Sequence, residues 1–261
     1  MRTCTAVLAA LAMYASAAQA DIVALTSNNT LAMIDSKSAK VTGTMEIQGL
    51  EPVLGIDVRP SDGMLYALAA DGTVATINLA DGKATVKSKL GIMPPPAVKV
   101  TVDFNPVSDR LRIVGSDGTN LRANVDDGVV AEDQTLTFAK NDAASGEVPM
   151  IVAGSYTNSV KGARETTLYD IDGGLYGLFR QVPPNDGLLN TVGALGIDVK
   201  HASFDIMTDA TGTNTALLVV GQTLYSVDLA GGKAIEGKPI SGLPGDVRDI
   251  AALRGMEPEG M

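Results

Sequence analysis

The sequence predicts an all-β protein and, within that class, a β-propeller of five four-stranded blades. Three observations support this prediction: a strand motif carrying an aspartate recurs, a hairpin motif recurs, and the two ends of the chain complement each other. No long segment shows the 3.6-residue apolar period of a helix. A repeat of about 40–50 residues with four short strands in each unit is typical of a propeller blade.

The first motif places an aspartate inside an apolar strand. It reads GIDVRPSDGMLYAL at 55–68 and TVDFNPVSDRLRIV at 101–114, and it returns at 203–220 and in VRDIAAL at 247–253. The aspartates are Asp57, Asp103, Asp205 and Asp249. The gap between the second and third equals two units, so a further member is expected near residue 154, where the chain has Gly154.

The second motif is a short alternating strand, a polar turn and another strand. Its copies are NTLAMIDSKSAKVTG (29–43), GTVATINLADGKATV (72–86), TNLRANVDDGVVA (119–131) and QTLYSVDLAGGKAIE (222–236). Asp-Gly or Gly-Gly at the turn of three of these copies supplies the positive φ that a tight hairpin needs. The motif therefore predicts one hairpin in each of these units.

Together the motifs divide the chain into five units. One blade is predicted from strands near 53–58, 64–69, 73–79 and 84–90, and further blades over about 98–139, 150–192 and 203–240. The stretch 22–48 has only three strands, and the C-terminal DVRDIAAL supplies a fourth. We therefore expect the two ends to complete one shared blade and close the ring. A six-bladed ring, with more than one blade in 140–200, is the alternative; a β-sandwich would not explain the matching ends.

The first twenty residues, MRTCTAVLAALAMYASAAQA, predict a secretory signal peptide cleaved after Ala20. Residues 21–261 are then expected to form a single propeller domain. Cys4 is the only cysteine, so the mature chain would contain none. Export without disulfides indicates a bacterial periplasmic or secreted protein.

The charge and the hydropathy of the chain limit the kinds of partner that it is expected to bind. The formal net charge is −10 and the chain has no basic cluster, which argues against binding to nucleic acid. After the signal peptide no apolar run is long enough to span a bilayer. We expect a monomer that binds a protein or a small ligand.

The four recurring aspartates have two interpretations. A buried carboxylate is costly unless it is paired, hydrogen-bonded or bound to a metal. The aspartates could form a ring of oxygen ligands, which would suit calcium. The favoured interpretation is structural, because a residue repeated in every blade more often accepts hydrogen bonds from the neighbouring blade.

Candidate ligand-binding residues lie where the chain departs from the repeat, mainly in the unit 150–192. They are Tyr156, Asn158, Gln181 and Asn185, with Arg122 of the preceding unit. Their side chains offer hydrogen bonds to a polar ligand. The alternatives are a stiff turn at 183–187, a loop cap at Asn158 and an Arg122 that pairs with an acid.

At these segments the chain resembles a bacterial secreted family known as domain of unknown function 4394. The similar runs are Asp103–Pro106, Asn120–Arg122, Tyr156–Ser159, Thr167–Asp172 and Gln181–Gly187. The likeness covers most of the mature chain. It implies an exported, propeller-like protein and supplies no activity or catalytic residues.

The residue inventory disfavours most enzyme classes. His201 is the only histidine and is expected to be exposed, which argues against a Ser-His-Asp triad and, with no mature cysteine, against zinc. The lack of tryptophan argues against glycan chemistry. We predict a non-enzymatic binding module. The alternatives are a calcium-dependent, lactonase-like hydrolase that uses channel carboxylates, and a purely structural envelope protein.

Overall fold

In a computed structural model, which describes residues 21–253, the chain folds into five β-sheets arranged as a five-bladed propeller. This confirms the predicted fold class and blade count. A single 3₁₀ turn, Pro184–Asp186, is the one helical element among the described residues. Within 21–253 no helix is long and apolar enough to cross a membrane. The predicted signal peptide, residues 1–20, lies outside the described residues.

Blade 1 is shared by the two ends of the chain, as predicted. From the axis outwards it consists of β21 (Val247–Ala252), β1 (Ile22–Thr26), β2 (Thr30–Asp35) and β3 (Lys40–Glu46). The C-terminal strand β21 pairs antiparallel with β1, and Leu25 lies opposite Asp249. Hydrogen bonds between the first and last strands therefore close the ring.

Blades 2, 3 and 5 are each built from four consecutive strands. Blade 2 consists of β4 (Val53–Val58), β5 (Leu65–Ala69), β6 (Thr73–Ile77) and β7 (Ala84–Lys89). Blade 3 consists of β8 (Val100–Asn105), β9 (Arg110–Gly115), β10 (Asn120–Ala123) and β11 (Val130–Glu132). Blade 5 consists of β17 (Ala202–Thr208), β18 (Asn214–Val220), β19 (Thr223–Val227) and β20 (Ala234–Pro239).

Blade 4 departs from this pattern. Its main strands are β13 (Ile151–Tyr156), β14 (Leu168–Asp172), β15 (Gly177–Gln181) and β16 (Leu188–Ala194). A short strand, β12 (Thr137–Phe138), joins the outer edge and pairs parallel with β16. The region 140–200 thus contributes to one sheet, which excludes the six-bladed alternative.

Burial decreases from the axis to the rim of each blade. In blade 2 the innermost strand, VLGIDV, is largely buried, whereas the outermost, ATVKSK, is mostly exposed. The apolar core lies between neighbouring blades: Tyr66 and Leu68 of blade 2 pack with Phe104 of blade 3. The rings of Tyr66 and Phe104 meet edge to face, with centroids 5.2 Å apart. This packing leaves the five innermost strands around a central axis.

Candidate functional site

The innermost strands β21, β4, β8, β13 and β17 contact one another in sequence around the axis. Side chains alternate along a strand, so every second residue of each faces the same way. Hydrogen bonds between neighbouring blades show which residues of the innermost strands lie at the same height along the propeller axis. The aspartate layer contains Asp57, Asp103, Ser155, Asp205 and Ala251. The second layer, two residues earlier in each strand, contains Gly55, Thr101, Ala153, Ser203 and Asp249.

Each of the five blade junctions has a hydrogen bond from a backbone N–H of one blade to an axial side chain of its neighbour. The pairs are Phe104 N to Asp57 Oδ2 (2.6 Å), Tyr156 N to Asp103 Oδ1 (3.0 Å), Ile206 N to Ser155 Oγ (3.1 Å), Ala252 N to Asp205 Oδ2 (2.5 Å) and Ile56 N to Asp249 Oδ2 (2.9 Å). The prediction that the recurring aspartates accept hydrogen bonds from neighbouring blades is therefore confirmed. A role in binding a metal stays a prediction.

The expected set of equivalent positions needs two corrections. Ser155, and not Gly154, takes the aspartate's place in blade 4, and its hydroxyl also donates to Asp205 Oδ1 at 2.8 Å. Gly154 packs against blade 4 itself, where a Cβ atom would collide with the carboxyl group of Asp170. Asp249 lies in the second layer, because β21 places Ala251 at the height of the aspartate layer. The axis thus carries three equivalent carboxyl groups and one offset from them.

The three carboxyl groups of the aspartate layer lie close together. Oxygens of Asp57, Asp103 and Asp205 are all within 4.8 Å of one another, and the three side chains are buried. Burial and then mutual repulsion raise the pKa values of Asp57 and Asp103 well above the ordinary range. Burial also raises the pKa of Asp205. The cluster is therefore able to retain protons at neutral pH or to hold a cation in their place.

Most oxygens of this cluster already accept a hydrogen bond. Both oxygens of Asp57 and both oxygens of Asp205 accept N–H groups, as does Oδ1 of Asp103. A carboxylate oxygen has a second lone pair, so these bonds are compatible with a calcium ligand. A cavity of about 20 Å³ beside Asp57 and Asp205 opens toward the ends of the innermost strands. This volume accommodates one water-sized species.

Four of the five predicted ligand-binding residues lie in one hydrogen-bond network between blades 3 and 4, in which Tyr156 and Gln181 are buried, Arg122 is half-buried and Asn185 is exposed. Its centre is Arg112, which is 2% exposed. The Arg112 guanidinium donates to Tyr156 Oη (3.1 Å), Asn120 Oδ1 (2.8 Å), Asn185 Oδ1 (2.9 Å) and Asp133 Oδ2 (2.6 Å). Gln181 donates to Pro184 O at 2.6 Å in the same network. Arg122 donates two hydrogen bonds to Asp133 and thus pairs with an acid.

The fifth predicted residue, Asn158, lies elsewhere. Its backbone N–H donates to Asn214 Oδ1 at 2.9 Å, and its Oδ1 accepts a hydrogen bond from Asn214 Nδ2 at 2.8 Å. This pair links blade 4 to blade 5. The five residues are therefore engaged in contacts within the protein, and their role in ligand binding stays a prediction.

A cavity of about 380 Å³ lies at the other end of the axis, where the innermost strands begin. We call this the entrance cavity. Its apolar wall includes Val53, Leu54, Val100 and Val247. Its charged and titratable side chains are Lys99, Arg248 and His201, all of them basic. His201 is exposed, as predicted.

Part of the entrance cavity follows the same periodicity as the layers beneath it. Lys99 and His201 each lie two residues before a member of the second layer, whereas bulges in β4 and β21 interrupt the alternation at Val53 and Val247. Lys99 therefore lies four residues before Asp103, and His201 lies four residues before Asp205. Counting outwards in steps of two from the aspartates would have found both residues in the sequence.

Lys99 is one of the residues that line the entrance cavity. It is half-buried, and its Nζ donates to Ala202 O at 2.5 Å, across the axis from blade 3 to the non-adjacent blade 5. Burial lowers the pKa of Lys99 to about 8, and the nearby Asp249 opposes that shift. Burial raises the pKa of Asp249 to about 8.

Asp170 and Arg112 were not predicted. Neither oxygen of the fully buried Asp170 has a hydrogen-bond partner among the described residues. Burial raises its pKa to about 8, although the charge of Arg112 opposes the shift. Both residues interrupt apolar strands, in RLRIVG and LYDID, and a charge in an apolar strand is the signal that could have found them.

Comparison with known proteins identifies a family and a fold. The family model described as "Domain of unknown function (DUF4394)" matches residues 19–251. No match is found among curated proteins. A crystal structure of a structural genomics protein of unknown function from Bacteroides thetaiotaomicron VPI-5482 superposes with a TM-score of 0.52 and 18% identity, over 91% of this chain and 65% of that one.

A second crystal structure, of a protein of unknown function from Bacteroides caccae, gives a TM-score of 0.44 and 12% identity. It covers 87% of this chain and 75% of that one. This chain therefore spans about two thirds to three quarters of the length of the two solved proteins. At 18% identity the likeness to the Bacteroides thetaiotaomicron protein concerns the fold alone.

Proposed function

The chain belongs to the family Domain of unknown function (DUF4394), and we propose that it is a binding module that takes a small carboxylate into the entrance cavity. The observation that carries this proposal is the convergence of Lys99, Arg248 and His201 on one cavity in a chain of net charge −10. Opposite charge in a concave site raises the local concentration of an anion.

The size and walls of the cavity support a small organic ligand. Its volume of about 380 Å³ falls at the lower end of the range for small-molecule sites, which begins near about 300 Å³. The wall residues Val53, Leu54 and Val247 are apolar, so they favour a ligand with a short hydrocarbon part. A guanidinium such as that of Arg248 matches a planar carboxylate with two parallel hydrogen bonds.

The test is a calorimetric titration with short carboxylates and with their uncharged amides. We expect saturable binding of carboxylates, weakened at least about tenfold in Arg248→Gln or Lys99→Met, because each change removes about 1.4 kcal/mol or more of charge-assisted bonding. Arg164→Gln and Lys140→Met are matched controls, since both residues are exposed and lie outside the cavity. Equal binding of acids and amides, or binding of neither, would overturn the proposal.

The aspartate layer supports a second candidate function, a calcium site and with it a lactonase-like hydrolase. The supporting observation is the approach of Asp57, Asp103 and Asp205 to within 4.8 Å of one another beside a cavity of water size. The test is a thermal melt with chelator and then with added calcium. A calcium-dependent rise in Tm that is lost when the three become asparagine would support this candidate. No shift would leave the aspartates as hydrogen-bond acceptors between blades.

We also propose that the protein acts in the periplasm or the medium, since its N-terminal sequence predicts a signal peptide. A purely structural envelope protein is the remaining alternative. That role predicts no saturable ligand at the entrance cavity, so the same titration distinguishes it from a binding module.

A further inference from the structure

We propose that Lys99 is a reactive amine that condenses with the carbonyl group of a small 2-oxo carboxylate held in the entrance cavity. This inference rests on the proposed function, because it assigns a ligand class to the same site. It adds a covalent step, formation of an imine, to simple binding of an anion.

The position of the amine is the first argument. Lys99 lines the entrance cavity, and its Nζ is held by a hydrogen bond to Ala202 O, 2.5 Å long. Arg248 lines the same cavity and supplies the charge that a carboxylate group needs. A 2-oxo carboxylate in this cavity would therefore have a cation for its carboxylate and an amine for its carbonyl carbon.

The protonation state of Lys99 is the second argument. Only a neutral amine attacks a carbonyl carbon, and burial lowers the pKa of Lys99 to about 8. At pH near 7.5 roughly a quarter of such amines are neutral, against about one in a thousand for an exposed lysine. Arg248 and His201 in the cavity wall, and Asp249 below, are the charged or titratable groups identified around Lys99.

The reaction balances without an oxidant or a reductant. The lone pair of Nζ forms a bond to the carbonyl carbon, and the carbonyl π bond breaks to give a hydroxyl group. The nitrogen gives up its two protons, the carbon–oxygen bond breaks, and water leaves as the C=N bond forms. His201 lines the same cavity, and we assign to it the transfer of a proton between nitrogen and oxygen.

The experiment is reductive trapping with 2-oxobutyrate and cyanoborohydride, read by intact mass and peptide mapping. We expect one adduct per chain, located on Lys99, absent in Lys99→Arg and retained in the matched control Lys140→Arg. Arg248→Gln keeps the amine but should lower the trapping rate at least about tenfold through loss of the carboxylate contact. Circular dichroism melts of each variant verify that the fold is retained.

The competitor 2-hydroxybutyrate distinguishes carboxylate binding from imine formation, since it has the carboxylate but a hydroxyl group in place of the 2-oxo group. We expect it to bind and to slow the trapping. If it binds while labelling spreads evenly over exposed lysines or does not occur, the reactive amine is refuted and the binding module stands. If it neither binds nor protects Lys99, the entrance cavity is not a carboxylate site.

Discussion

The aspartate layer and the entrance cavity lie on the same axis and are built by the same strands, yet their chemistry is opposite. At one height β8 and β17 carry Asp103 and Asp205, both buried. Four residues earlier the same strands carry Lys99 and His201 at a cavity of about 380 Å³. The acids recur from blade to blade and bind the next blade, whereas the basic residues occur once. In this ring the repeated aspartates accept hydrogen bonds from the next blade, and the unrepeated basic residues line the cavity.

The largest expected effect comes from breaking the hydrogen-bond network between blades 3 and 4. Arg112→Met should lower the free energy of unfolding by about 3–5 kcal/mol, because Tyr156, Asn120 and Asn185 all lose their charged donor, although Asp133 keeps its pair with Arg122. Arg180→Met, on the exposed face of β15, should stay within about 0.5 kcal/mol. Urea unfolding of both variants checks the prediction. Equal losses would contradict the structural role given to Arg112.

Replacement by asparagine should change the stability of the protein in opposite directions at two aspartates of β14. Asp172 accepts backbone N–H groups from Met150, Gly174 and Leu175, so Asp172→Asn should destabilise the protein by about 1–3 kcal/mol. Asp170 has no hydrogen-bond partner among the described residues, and Asp170→Asn should stabilise the protein at pH near 8. Thermal melts at that pH compare them. The same sign for both would show that the partners of these carboxyl groups do not decide their contribution.

The pH dependence of stability follows from the same carboxyl group. Between the pKa of an unfolded aspartate, about 3.9, and that of folded Asp170, about 8, the native state holds one more proton than the unfolded state. The free energy of unfolding therefore falls as pH rises through this window, by up to about 1.4 kcal/mol per pH unit for one such group. Asp170→Asn should make the profile measured from about pH 5 to about pH 8 less steep by this amount, while the raised pKa values of Asp249 and of the aspartate layer keep the stability falling with pH. An unchanged profile would contradict the assignment.

The second layer offers a smaller, steric test. A Cβ atom at Gly55 would lie 2.8 Å from Asp249 Oδ2 and 2.8 Å from Val102 Cγ2. Gly55→Ala should cost about 1–3 kcal/mol, since the clash displaces the acceptor of the Ile56 N–H. Gly43→Ala is the matched control, because nothing lies within 4 Å of its Cβ position. Equal stability of the two variants would mean that the junction between blades 1 and 2 tolerates displacement.

The smallest effect on stability is expected at the entrance cavity. Arg248 is exposed, so Arg248→Gln should change the free energy of unfolding by less than about 0.5 kcal/mol while it weakens carboxylate binding at least about tenfold. Chemical unfolding measured beside the titration separates the two effects. A large loss of stability would place Arg248 with the structural residues and remove the contrast between the two regions.

Most blade boundaries could be predicted because hairpin turns and apolar runs are local signals. The strand predicted at 53–58 is observed at Val53–Val58. The strand predicted at 73–79 ends at Ile77, because the next residue, Asn78, begins the turn. The backbone carbonyl of Asn78 accepts the N–H of Gly82, and its side-chain oxygen accepts the N–H of Ala80. Pairing of the two chain ends followed from counting strands.

The heights of the axial residues could not be predicted in the same way. All six residues of β13 are buried, so the alternation of apolar and polar residues that normally fixes the orientation of a strand is missing. The position of Gly154 came from halving the gap between Asp103 and Asp205, and no alternation in the strand could correct that count to Ser155. Lys99 was overlooked because it precedes the predicted apolar strand, and its contact with Ala202 joins blades that are not neighbours.

The most direct test of a ligand site at the entrance cavity is an NMR titration of the isotope-labelled protein with 2-hydroxybutyrate. Saturable shifts are predicted for the backbone amides of Lys99, Val100, Ala202 and Arg248, with the amides of Phe104 and Ala252 in the aspartate layer unchanged. Shifts confined to the aspartate layer, or none at saturating ligand, would contradict the assignment of the entrance cavity as the binding site.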